Sequence, residues 1–67
     1  MSVARITEIS ASSTKSFEDA VHQGIARASQ TLKNVEGAWV ESQKVIVSNG
    51  QITEYRVMMK VTFVLEG

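Results

Sequence analysis

The chain has no cysteine, no proline, one histidine and no excess of either charge. Without cysteine there are no disulfides, no thiolate metal sites and no thiol catalysis. One histidine cannot build a multi-histidine zinc site. Seven basic and seven acidic side chains cancel, whereas a nucleic-acid binder normally carries a basic excess, so nucleic acid is not an expected partner. No apolar run approaches the length that spans a bilayer, so no membrane is expected either. Residues 1–16 lack an apolar core of signal-peptide length, and a cytoplasmic protein is the expectation. No glycine-rich loop precedes the helical pattern, which leaves no phosphate cradle.

What is present is small and ordinary in composition. The 67 residues, 43% of them hydrophobic, fit one globular domain spanning 1–67. At 7.3 kDa a folded monomer would expose roughly 4,200 Å², against roughly 10,600 Å² for the extended chain. Burying about three-fifths of the surface is thin for a lone chain. With disulfides and thiolate or multi-histidine metal sites excluded, identical subunits are the expected source of further burial.

Four elements can be placed. Residues 3–10 carry Val3, Ile6 and Ile9 among polar residues and read as a strand. Ser10-Ala11-Ser12-Ser13 reads as a small-residue connection, with Ser13 as a helix N-cap. Phe17, Ala20, Val21, Gly24, Ile25, Ala28 and Leu32 form one helical stripe, predicting a helix over 14–33 that ends at Asn34. Glu18 and Asp19 near its start and Lys33 near its end suit the helix dipole. Residues 35–47 are rich in β-branched side chains and read as a second strand, with Gly37 marking a bulge or a close approach. Asn49-Gly50 is a strong hairpin signal. Over 51–66, Tyr55, Val57, Met59, Val61, Phe63 and Leu65 alternate with mostly polar residues, a half-buried strand.

The order β-α-β-β gives an α+β fold. If the third strand lies between the other two, the sheet is antiparallel in order 1-3-2. One helix cannot cover a strand that extends about 50 Å at 3.3 Å per residue. The overhang and the open strand edges again call for other subunits.

In this order, Ser12-Ser13-Thr14-Lys15-Ser16-Phe17, Gly24-Ile25-Ala26-Arg27-Ala28, Thr31-Leu32-Lys33-Asn34-Val35 and Glu54–Glu66 together resemble the dodecins. That resemblance covers nearly the whole chain. It implies a three-stranded sheet wrapped around one helix and a hollow homododecamer that binds a flavin, riboflavin or FMN. In flavin-binding members a Trp early in the second strand stacks on the flavin. A Gln on the third strand hydrogen-bonds the ring's polar edge, and two flavins pair across a two-fold axis. Here the usual Trp position holds Gly37, and the usual Gln position, after Tyr55, holds Arg56. The chain's one Trp is Trp39, on the same side of a regular strand as Gly37.

The resemblance therefore points to Trp39 as a stacking residue, with Gly37 leaving room beside it. Arg56 becomes a donor to a flavin carbonyl, although it cannot accept from a ring N–H as Gln can. Met58 and Met59 alternate across the strand, so that one joins the core and Met58 lines an interface or ligand cavity. Each residue also has a plainer reading: Trp39 as an anchor at a subunit contact, Arg56 as a salt-bridge partner.

His22 has Glu18 four residues before it and no nucleophile to serve, which reads as a solvated face. Glu36, Glu41, Glu54 and Glu66 read as solvated charges, or as oxygens around a hard cation in an assembly. No nucleophile–base spacing appears, and an enzyme is not expected. The expected function is flavin storage or sequestration without turnover. The alternative is a flavin-free shell of the same fold that holds cations.

Overall fold

The structure is a computed structural model that describes residues 3–65. The elements are β1 (Val3–Ser13), α1 (Phe17–Thr31), β2 (Val35–Ser48) and β3 (Gln51–Leu65). The three strands form one antiparallel sheet in the order β1-β3-β2, the expected arrangement. Glu66, the last residue of the expected third strand, lies outside the described residues.

Several boundaries differ from the sequence expectation: the helix ends at Thr31 rather than at 33, β2 runs to Ser48 rather than 47, and the largest shifts are at the end of β1 and the start of the helix. β1 runs on through Ser10–Ser13, because these residues pair with Met58, Val57, Arg56 and Tyr55 of β3. Small polar residues have weak strand preference, but a partner strand overrides it. The helix starts three residues later than expected. Its N-cap is Ser16, not Ser13: Ser16 Oγ accepts from the Asp19 amide at 3.0 Å. Ser13 instead ends the strand. It accepts from the Lys15 amide at 2.9 Å and donates to Asp19 Oδ2 at 2.5 Å. Gln23 Nε2 donates to the same Asp19 oxygen at 2.6 Å. These bonds, the Ser13 one foremost, hold the Asp19 carboxyl below its ordinary value.

At the other end, the Leu32 amide donates to Ala28 O at 2.9 Å and closes the helix. Lys33 lies beyond the last turn, which holds no basic residue. Asn34 takes a left-handed φ of 61° and turns the chain into β2. Its carbonyl accepts from the Val64 amide at 3.1 Å, tying the helix exit to the end of β3. Asn49 and Gly50, with φ of 53° and 73°, form the hairpin turn.

The core lies between the helix and one face of β1 and β3. Ala20, Val57 and Met59 are fully buried, with Ile9, Ala11, Phe17, Val21 and Ile25 packed around them. Val61 is also fully buried. Phe17 meets Tyr55 edge-on, with ring centroids 5.2 Å apart. The odd residues of β3 thus face the helix, as their alternation predicts, although Phe63 and Leu32 are only half-buried.

The chain is long and thin, 51 × 19 × 13 Å. The helix packs chiefly on β1 and β3 and barely touches β2. The accessible surface is 4911 Å², above the roughly 4,200 Å² of a compact monomer of this mass. Val3, Ile6, Val40, Val45, Val47, Ile52 and Leu65 are all exposed.

Candidate functional site

Directly opposed residues in an antiparallel pair share a face. On the face away from the helix, β3 carries Thr62, Lys60, Met58 and Arg56 in two-residue steps. Their partners on β2 are Gly37, Trp39, Ser42 and Lys44, and on β1 Ile6, Glu8, Ser10 and Ser12. All four candidate residues, Trp39, Gly37, Arg56 and Met58, therefore lie on this one face.

The face is not one site within a single chain. Trp39 sits opposite Lys60, whereas Arg56 lies four residues further along β3, about 13 Å at 3.3 Å per residue. Arg56 and Met58 instead line a depression of about 290 Å³ with Ser10, Ser42, Gln43 and Lys44. Arg56 is also paired, its Nη2 3.2 Å from Glu54 Oε1. Met59 is the core methionine and Met58 the outward one, 36% exposed. A Cβ built on Gly37 would meet nothing within 4 Å. Close approach within the chain thus does not require glycine there. Gly37 does follow an irregularity, between Val35 and Gly37, where Glu36 is left unpaired.

Trp39 is 47% exposed, and Lys60 Nζ lies over its ring, 5.8 Å from the centroid. The same ammonium is 3.8 Å from Glu41 Oε1. Glu41 is the extra residue of the bulge between Val40 and Ser42. A bulge re-aims its side chain, here to within reach of Lys60. Glu8, opposite Lys60 on β1, has its carboxyl pushed above the ordinary value. The first cause is a hydrogen bond with Glu41, then that carboxylate's charge and burial, with Lys60 pulling the other way.

Glu8, Lys60 and Trp39 thus form one row across three strands, with Glu41 closing it. Lys60 and Glu8 did not stand out in the sequence. Counting outward from the Asn49-Gly50 turn would have found Lys60 opposite Trp39. Thr53, the residue β3 skips between Ile52 and Glu54, and Glu41 on β2 offset each other before that point.

Among the described residues no group of three or more His, Cys, Asp or Glu is placed to hold a metal ion. Glu41 and Glu54 each face a cation, and Glu66 lies outside the described residues. His22 lies 3.9 Å from Glu18 on an open helix face. No helix among the described residues is long and apolar enough to cross a membrane.

The sequence profile of the Dodecin family matches residues 3–66. No curated protein matches the chain in a sequence search. Among solved structures, the dodecin of Streptomyces davaonensis is 36% identical and superposes with a TM-score of 0.94, covering 98% of this chain and 97% of that one. The dodecin of Streptomyces coelicolor is 30% identical with a TM-score of 0.94, covering 98% and 94%. The calcium dodecin of Mycobacterium tuberculosis, described as calcium chelating with a novel calcium-binding site, is 28% identical. Its TM-score is 0.83, and the match covers 96% of this chain and 91% of that one. With the order and register of its strands, the single helix laid on β1 and β3, and a family profile that spans residues 3–66, this chain belongs to the dodecin family.

Proposed function

We propose that the protein assembles as a hollow homododecamer and binds a flavin, riboflavin or FMN, which it stores or sequesters without turnover. The observation that carries this reading is Trp39. A lone indole stands half-exposed on the sheet face that the helix leaves uncovered, beside a glycine with open space above it. A planar ring stacked there gains aromatic contact. In this reading the flavin meets Arg56 of a neighbouring subunit, because Arg56 of the same chain is too far from Trp39. The exposed Val3, Ile6, Val40, Val45, Val47, Ile52 and Leu65 are the surface that assembly covers. The protein works in the cytoplasm, with neither nucleic acid nor membrane as partner, and is not an enzyme.

A second reading is a flavin-free shell that takes up cations. It is favoured by the likeness to a calcium dodecin and by the facing carboxyls of Glu8 and Glu41. Titration with riboflavin and with FMN separates the two. Mutual quenching of indole and flavin emission is the expected result. No quenching in either chromophore at millimolar flavin, with a bound divalent cation instead, would install the shell. Sedimentation of the same sample should give a species near twelve subunits.

A further inference from the structure

Trp39 belongs to β2, an edge strand, and Lys60 to β3, the central one. The two are opposed in the ladder. An ammonium over the ring from that side covers the indole face turned toward the sheet centre. The other face looks across the edge of β2, which is open in the single chain. Lys60 is itself held in place. Glu41 reaches it from the bulge at 3.8 Å, and Glu8 stands opposite it on β1. Lys60, with Glu41 in reach of its ammonium, therefore stands against one face of the ring.

We infer that Lys60 is the positioning residue of Trp39: its ammonium backs the inner indole face and leaves the edge-facing side as the stacking surface for a planar ligand. This rests on the reading of Trp39 as a stacking residue. It adds a direction of approach, from the β2 edge, and a chemistry. A cation on one face draws indole electron density away from the other. The ligand that stacks opposite it meets a weaker electron donor than a bare tryptophan.

The test compares the parent with Lys60→Met, which keeps length but not charge, and Lys60→Arg, which keeps the cation. Assembly is checked for all three by sedimentation. The ring freed in Lys60→Met is the better donor but is no longer held in place, and loss of that order dominates: riboflavin affinity should fall about two- to fivefold, the scale of the exposed cation–π contact that orders the ring, and return in Lys60→Arg. The long-wavelength charge-transfer shoulder of bound flavin should move to the red in Lys60→Met alone, which loss of packing would not cause. Unchanged or tighter binding in Lys60→Met overturns the assignment. If the parent binds no riboflavin, the flavin reading falls by itself. Lys60 is then decided in ligand-free protein. Acrylamide quenching of Trp39 that rises in Lys60→Met but not in Lys60→Arg upholds its position on the ring, and equal quenching in all three removes it.

Discussion

Met59 occupies the space that a side chain on Gly24 would need. A Cβ at position 24 would lie 2.6 Å from Met59 Cε and 3.0 Å from Ala11 Cβ. This contact seats the helix on the sheet; Met59 is fully buried, and although its terminal methyl can swing, Ala11 Cβ is fixed to the β1 backbone. Gly24→Ala gains about 1 kcal/mol of helix preference but forces an overpacked core, at about 1–3 kcal/mol. A net loss is expected, read as a lower urea midpoint at fixed protein concentration. A higher midpoint would show that the helix can lift without cost.

The helix start gives a second expectation. Ser16→Ala removes the bond to the Asp19 amide and should cost about 1 kcal/mol, as loss of an N-cap does. Ser13→Ala acts differently. It releases the Asp19 carboxyl, whose lowered value contributes stability above the ordinary 3.8 and loses it as pH falls through the folded value. The Ser13 variant should therefore unfold at a higher pH on acidification. Identical acid profiles for parent and Ser13→Ala would remove Ser13 as the main cause.

Glu8 has the opposite sign. Its raised value means the native state holds a proton that the unfolded chain has released. That contribution is complete below 4.5 and is lost as pH rises through the folded value. Glu8→Gln removes the conflict with Glu41, so it should melt above the parent at neutral pH. The gap should close on acidification. A gap that widens in acid would contradict the raised value of Glu8.

For the ligand, Trp39→Ala should weaken flavin binding by about 1–3 kcal/mol, the range for stacking of a base on an aromatic side chain. Arg56→Gln restores an acceptor oxygen and breaks the pair with Glu54, so it should hold or improve affinity. If Trp39→Ala instead disperses the assembly while the parent shows no quenching, Trp39 is an interface anchor.

The strands, the helix and their faces were legible because burial imposes a period, as in Tyr55, Val57, Met59 and Val61. The helix start was not. Ser12, Ser13, Thr14 and Ser16 crowd one stretch, and several of them are able caps. Only the pairing of Ser10–Ser13 with β3 decides which serine begins the helix. At the site, type and face were legible for Trp39 and Arg56, but their separation was not, since it depends on the ladder as a whole. Lys60 looked like any residue of a polar face until Trp39 was set opposite it.

The pairing of Ser13 with Tyr55 and of Val3 with Leu65 sets an order of events in folding. The β2–β3 hairpin closes through a two-residue turn. The first β1 contact closes a loop of about forty residues, which costs about 2–3 kcal/mol more in chain entropy. The hairpin therefore zips first, and β1 arrives last. Until then the inner edge of β3 is a vacant strand site, open to β1 of any chain nearby. Pulsed hydrogen exchange during refolding should protect amides of β2 before those of β1; simultaneous protection would contradict this order. At high concentration the late arrival of β1 favours its pairing with β3 of a neighbouring chain, an exchange of that strand between chains.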